Sequence, residues 1–173
     1  MSPAALPPSS PERRAPEAAG ELPRATGPAW PVIWRTTLLT WIPQTVIWYV
    51  VVSIHPGPAF GDVFDSPVGA IVVGMILAPC LETGIVAAVL FFLRRWLGDR
   101  PRILWYSAAF FGALHFPSVT WGLHAVWAFY MFSRCYLSLV KSSPARAFWV
   151  TTAVHAGCNL LSYLGTLLWR SMA

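Results

Sequence analysis

The sequence predicts an all-α fold, a polytopic membrane helical bundle of about five transmembrane helices, and three observations favour it. Hydrophobic residues make up 56% of the 173 residues and charged residues only 11%, with a mean hydropathy of +0.56. Apolar runs of roughly one span length recur along the chain. Most of the basic residues lie in segments that flank these runs rather than on one soluble face, so the net charge of +5 indicates a lipid bilayer and not nucleic acid as the partner.

The first 28 residues differ in composition from the rest of the chain. They are rich in Pro, Ala and Ser, and they lack the apolar core of a secretory signal. We expect residues 1–28 to form a disordered cytoplasmic tail and residues 29–173 to form one intramembrane domain.

Five apolar runs follow the tail, separated by segments rich in turn-forming or basic residues. The first contains Arg35 near its start, where a long side chain can reach the membrane surface. The third is the shortest, and Pro117 ends it. Tryptophans fall near most ends, where their rings settle at the headgroup level. The predicted spans are residues 30–53, 68–93, 103–116, 121–140 and 147–169.

Lys and Arg residues are distributed unevenly between the two sides of the predicted bundle. Residues 54–67 and 117–120 contain neither residue type. Because cytoplasmic loops are enriched in Lys and Arg, the pattern predicts a multi-pass protein of the cytoplasmic membrane with its N-terminus inside and its C-terminus outside. The basic residues assigned to the cytoplasmic side are Arg13, Arg14, Arg24, Arg94, Arg95, Arg100, Arg102, Lys141 and Arg146.

Glu82 is the single acidic residue inside a predicted span; the other six lie in the tail or in loops. A carboxylate at that depth costs several kcal/mol unless it is paired, and such residues normally face a protein interior at a functional site. Structural hydrogen bonding between helices is the plainer explanation for a single polar residue.

His115, His155 and Asn159 are candidate partners for Glu82. His155 and Asn159 are four residues apart and share a helix face. Counted from the cytoplasmic ends at 1.5 Å per residue, Glu82 lies about 18 Å deep, His115 about 20 Å, His155 about 12 Å and Asn159 about 18 Å. Four polar groups in one membrane layer favour a functional site over structural hydrogen bonding.

Other polar residues are assigned to structural roles. His124 and His55 are predicted to be interfacial or solvated, and Arg134 is predicted to extend toward the membrane surface. The three cysteines lie inside apolar segments without a CxxC pair, so neither a disulfide framework nor a nucleophilic thiolate is expected.

Three short stretches, CLETGIVA (80–87), FGALH (111–115) and HAGCN (155–159), resemble the EExxxR, FxxxH and HxxxN signatures of the CPBP family of intramembrane proteases. This family includes the type II CAAX prenyl proteases and the bacteriocin-processing proteins. The resemblance covers residues 67–165. Thr83 stands in place of the second glutamate of the first signature, and Ala87 stands in place of its arginine.

The resemblance implies an intramembrane endopeptidase that hydrolyses a peptide bond in a membrane-associated protein or peptide. It assigns water activation to Glu82 and His115, and oxyanion stabilisation to His155 and Asn159, with no metal or other cofactor. A carboxylate and an imidazole can deprotonate water, and N–H groups can stabilise the oxyanion that forms.

Three alternatives remain open at this point. Glu82, His115 and His155 are of the types that bind a catalytic zinc ion, although no HExxH motif occurs. A noncatalytic pseudoprotease, immunity factor or membrane scaffold would explain the departures at Thr83 and Ala87. A proton-coupled transporter is the weakest alternative, because no internal repeat is visible.

Overall fold

The computed structural model describes residues 27–54, 66–116 and 118–172. Across these ranges the chain forms five helices and no strand, which confirms the predicted fold class. The predicted tail, apart from residues 27 and 28, lies outside the described residues, and so do His55 and Pro117. The helices are α1 (Ala29–Ile54), α2 (Pro67–Leu97), α3 (Arg102–Leu114), α4 (Val119–Val140) and α5 (Pro144–Met172).

Two of these helices, α1 and α2, are long and apolar enough to cross a membrane by length and composition alone. Large apolar side chains cover the outside of the bundle; Leu81 is 68% exposed and Phe91 is 66% exposed. Lipid is the solvent that such a surface requires. α3 has 13 residues, about 20 Å of helix, which is shorter than a hydrocarbon core of roughly 30 Å. The number of spans therefore stays a prediction.

α2 changes its winding along its length. It is α-helical at Pro67–Gly69, π-helical at Ala70–Leu77 and α-helical again at Ala78–Leu97. Ser66 caps its start by accepting a hydrogen bond from the Gly69 N–H at 3.0 Å. Gly98, with a φ of 72°, ends the helix in a left-handed conformation that favours glycine.

α3 and α4 form a closely packed hairpin. The rings of Phe111 and Phe129 stack with their centroids 3.9 Å apart, and the buried hydroxyls of Ser107 and Ser133 are hydrogen-bonded at 2.9 Å. At Gly112 an added Cβ would lie 2.4 Å from Val126 Cγ2. The absence of that atom is what lets α4 approach so closely.

α5 packs against α1, α2 and α4, so its inner face is the centre of the bundle. His155 is buried on that face, together with Val154 and Cys158. An added Cβ at Gly157 would lie 3.2 Å from the Thr37 side chain of α1, which shows that α1 and α5 also approach closely.

An ion cluster joins helix ends on one side of the bundle. Asp99 accepts hydrogen bonds from Arg94 at 2.5 and 3.2 Å, and its carboxylate lies 3.6 Å from Lys141 Nζ. The carboxylate therefore connects the end of α2 to the end of α4.

Candidate active site

The four residues predicted to form the site line one cavity of about 230 Å³. Its walls come from α1, α2, α4, α5 and the C-terminal end of α3. The predicted residues on the wall are Glu82, His115, His155 and Asn159.

Glu82 lies in the regular part of α2 and makes its close histidine contact with α5. Its Oε2 is 3.5 Å from His155 Nε2, and the side chains are 26% and 8% exposed, respectively. The resemblance to the CPBP family assigns water activation to Glu82 together with His115. Among the described residues, His155 is the histidine that forms an ion-pair contact with this carboxylate.

His155 is held between aromatic rings. Its imidazole stacks on Phe132 at 4.4 Å and meets Phe129 edge-on at 5.7 Å. Within the described part of the chain, its buried Nδ1 has no hydrogen-bond partner, whereas its Nε2 lies beside the Glu82 carboxylate. The proton of a neutral imidazole is therefore best placed on Nε2, facing an acceptor. In this tautomer Nε2–H is a donor at the cavity.

His115 is the residue at which α3 ends, with φ −95° and ψ 1°. Pro117 two residues later prevents the helix from continuing. The His115 Nδ1 lies 2.8 Å from the carbonyl oxygen of Phe111. A carbonyl only accepts hydrogen bonds, so Nδ1 carries a proton, and in the neutral imidazole Nε2 is the acceptor.

In their neutral forms the two histidines are therefore assigned opposite tautomers at one cavity. His155 presents a donor at Nε2, and His115 has a proton acceptor at Nε2. Each assignment follows from the partner of the second ring nitrogen. A donor, an acceptor and a carboxylate that line one cavity are groups able to add water to a carbonyl.

Asn159 lies one turn after His155 on α5 and donates its Nδ2 to the carbonyl oxygen of Gly74 at 2.7 Å. Gly74 belongs to the π-helical segment of α2. An amide NH₂ group has two hydrogens, so one N–H of Asn159 remains after this bond.

His124 and Gln44 also line the cavity, although sequence reasoning assigned His124 to the interface and overlooked Gln44. The structure corrects this assignment, because His124 Nε2 is hydrogen-bonded to the Gln44 side chain, which is 5% exposed. The signal in the sequence was the amide of Gln44 inside an apolar run. Depth along α4 alone suggested an exposed histidine.

The other predicted polar residues lie outside the cavity. Arg134 is exposed on α4, and its extension toward the membrane surface stays a prediction. Cys80, Cys135 and Cys158 are free thiols. Thr83, next to Glu82, is 1% exposed and points into the protein interior.

The zinc alternative involves Glu82, His115 and His155 and stays a question for experiment. Across residues 27–54, 66–116 and 118–172, no three His, Cys, Asp or Glu side chains are grouped as a metal site requires. Glu82, His115 and His155 share a cavity wall, but they do not form such a group.

A second cavity of about 240 Å³ adjoins the first. Trp121, His124 and Ser162 line both cavities and form the wall between them. The remaining lining is mostly apolar and aromatic, with Trp41, Trp48 and Trp169 among its residues, and comes from α1 and the end of α5.

Comparison with known proteins gives one match. The sequence model described as type II CAAX prenyl endopeptidase Rce1-like matches residues 64–161, more than half of the 173-residue chain. The matched region contains all four predicted site residues. No curated protein and no solved structure matches the chain.

Proposed function

The chain belongs to the type II CAAX prenyl endopeptidase Rce1-like family, and from that premise we propose that it is an intramembrane endopeptidase acting through a Glu/His-activated water. The family is one of membrane proteases, so a hydrolase that acts on protein or peptide within a lipid bilayer follows from membership. The residue roles and the substrate are our proposal.

In the proposed reaction, a water between Glu82 and His115 attacks the carbonyl carbon of the scissile peptide bond. Glu82, or the free Nε2 of His115, takes the proton that the water loses. The Nε2–H of His155 and the remaining N–H of Asn159 donate hydrogen bonds to the oxyanion. When the C–N bond breaks, the proton passes to the departing amine, and an acid and an amine are the products.

The observation that carries this proposal is the placement of two histidines at the cavity that Glu82 lines, His115 with Nδ1 2.8 Å from the Phe111 carbonyl and His155 with Nε2 3.5 Å from the Glu82 carboxylate. A structural polar cluster needs only satisfied hydrogen bonds. Here the buried Nδ1 of His155 stays without a partner in the described structure, while Nε2 faces the carboxylate.

The departures at Thr83 and Ala87 are compatible with activity. Together they replace one acid and one base of the family signature, so no uncompensated charge is left inside the protein. Exchanging a buried ion pair for uncharged residues is often neutral for stability. Glu82 and both histidines, which carry the proposed chemistry, are unaffected.

We propose that the substrate is a membrane-associated protein or peptide with a prenylated CAAX-type C-terminus. The family description supports this class. The exposed apolar surface of the bundle supports a substrate that arrives from the lipid.

The test uses the purified chain in proteoliposomes and a quenched fluorescent peptide with a farnesylated CAAX C-terminus. Glu82→Gln keeps the size of the side chain but removes the base, and His115→Ala removes the second acceptor. We expect each to lower the cleavage rate by orders of magnitude. Leu81→Ala, at a neighbouring exposed position of α2, is the matched control and should cleave like the wild type.

Cleavage should also survive chelation with EDTA or phenanthroline, because the proposed base and oxyanion donors need no cation. Full activity of Glu82→Gln and His115→Ala would refute the protease mechanism and favour the scaffold alternative. Stoichiometric zinc whose removal abolishes cleavage would replace the glutamate mechanism with a metal-dependent one.

A further inference from the structure

The π-helical segment of α2 leaves one backbone carbonyl without a donor from its own helix. In a regular helix the carbonyl of Gly74 would accept from the N–H of Ala78. Here the Ala78 N–H is hydrogen-bonded to Val73 instead, five residues back. The next N–H along the helix would come from residue 79, which is proline and has none.

Asn159 supplies the missing donor from another helix. Its Nδ2 lies 2.7 Å from the Gly74 carbonyl oxygen, an ordinary length for an N–H···O bond. Gly74 is buried, so its carbonyl has little access to solvent. Leaving a buried carbonyl without a hydrogen bond costs free energy, and inside a bilayer no water is present to donate one.

This bond and the Glu82–His155 contact are polar contacts between α5 and α2 in the described part of the chain. His155 Nε2 lies 3.5 Å from the Glu82 carboxylate. Asn159 follows His155 by one turn of α5 and donates to the carbonyl of Gly74, which precedes Glu82 by two turns of α2. The first contact is between charged or polar side-chain tips and can shift. The second is made to the backbone itself, so it fixes the position of α2 rather than that of one rotamer.

We propose that Asn159 is a positioning residue as well as an oxyanion donor: by replacing the N–H that Pro79 lacks, it locks the π-helical turn of α2 against α5 and thereby places Glu82 beside His155. The effect on catalysis rests on the proposed function. The lock itself depends only on the backbone geometry of α2.

Pro79→Ala separates this role from oxyanion donation. Alanine restores an N–H at position 79. If the π-helical turn persists, that N–H can bond to Gly74; if the segment relaxes to an α-helix, the N–H of Ala78 can do so. Either way the Gly74 carbonyl no longer needs Asn159. An oxyanion donor, by contrast, cannot be replaced from position 79.

The experiment compares the wild type, Asn159→Ala, Pro79→Ala and the double variant, with thermal unfolding in detergent and kcat on the farnesylated peptide well below the melting temperature. We expect Asn159→Ala to lower Tm and to reduce kcat on the order of 100-fold. The double variant should regain most of the Tm and at least about tenfold in kcat over Asn159→Ala.

Leu160→Ala is the matched control, since it shortens the neighbouring, exposed side chain of α5. Its effects should be the same in the wild-type background as in the Pro79→Ala background. If Asn159→Ala fails to fold, recovery of folded protein in the double variant supports the lock, and failure to recover overturns it.

An unchanged Tm in Asn159→Ala would overturn the proposal. So would a double variant that regains Tm while its kcat stays at the level of Asn159→Ala, because Asn159 would then act on catalysis only as a donor. The Tm comparison needs no substrate. A wild type that does not cleave the peptide would therefore count against the proposed function and leave the test of the lock intact.

Discussion

At the scale of single residues, one close polar neighbour distinguishes each site histidine: a hydrogen-bonded carbonyl for His115 and a carboxylate 3.5 Å away for His155. The Phe111 carbonyl holds the proton of His115 on Nδ1, and the Glu82 carboxylate favours the proton of His155 on Nε2. In the proposed mechanism, two chemically identical side chains therefore have different roles: His115 accepts a proton and His155 donates a hydrogen bond.

Glutamine substitutions test these roles, because a glutamine side chain can donate through its amide but cannot take up a proton. We expect His155→Gln to keep a larger part of kcat/KM than His115→Gln, by at least about tenfold. The measurement is cleavage of the farnesylated peptide. Equal losses in the two variants would contradict the division of labour.

Thr83 and Ala87 give a second test at this scale. Thr83 is 1% exposed, so Thr83→Glu places a carboxylate in the interior without its arginine partner. We expect this variant to unfold at a lower temperature and to gain no activity. Thr83→Glu combined with Ala87→Arg, one turn apart on α2, should recover part of the lost Tm. A double variant no more stable than Thr83→Glu would argue against a missing ion pair at these positions.

The sequence could predict which residues share the cavity but not how they pair. Depth along each helix depends on the rise per residue alone, and it brought Glu82, His115, His155 and Asn159 to one layer. Pairing depends on rotation about each helix axis and on the choice of tautomer. The prediction that His124 is interfacial or solvated was wrong for the same reason, because its hydrogen-bond partner Gln44 lies on α1, 80 residues earlier in the chain.

At the scale of helices, glycine determines how closely α3 and α4 pack. We expect Gly112→Ala to destabilise the protein by about 1–3 kcal/mol, because the new Cβ would lie 2.4 Å from the branched Val126 side chain. Gly84→Ala is the control: nothing lies within 4 Å of its added Cβ, so it should be neutral or slightly stabilising. Thermal unfolding of both variants in detergent is the measurement, and equal Tm values would contradict the close approach.

Asp99 provides a pH-dependent link between helix ends. The hydrogen bond from Arg94, more than any other influence, holds the pKa of Asp99 below its ordinary value of 3.8. A lowered folded-state pKa means that the carboxylate stabilises the fold at all pH values above 3.8, and that this contribution disappears as the pH falls through the folded pKa. The effect is small because the side chain is 53% exposed.

We therefore expect Asp99→Asn to lower Tm slightly at neutral pH and to match the wild type once the pH is well below 3.8. The Tm difference should also shrink in high salt. A difference that persists at low pH would assign the effect of Asp99 to packing. Because Asp99 lies outside the cavity, cleavage by the variant should be close to that of the wild type.

The helices themselves were largely predictable, because apolar runs and their flanking Pro, Gly and basic residues mark helix ends. The predicted span 68–93 corresponds to the helix Pro67–Leu97, and the predicted span 121–140 corresponds to the helix Val119–Val140. The π-helical winding at Ala70–Leu77 was not predictable. Pro79 signals some disturbance of α2, but which carbonyl is freed depends on a donor that α5 supplies.

At the scale of the whole molecule, orientation in the membrane stays a prediction from charge. A reporter fused after Ala173 should report an outer location, and one inserted between Arg94 and Arg102 should report the cytoplasm. The Arg94–Asp99–Lys141 cluster would then face the cytoplasm. Reversed signals at both sites would contradict the predicted orientation and support the opposite one. They would not affect the description of the cavity.

The contact between α2 and α5 also sets an order of events during synthesis. Glu82 is synthesised with α2, whereas His155 and Asn159 follow with α5. Until α5 is made, the carboxylate of Glu82 lacks its His155 contact and the carbonyl of Gly74 lacks the Asn159 donor. In the predicted multi-pass topology, a nascent chain that stops after Lys141 would leave both groups without these partners in the membrane, so α5 would complete the fold and the site in a single step.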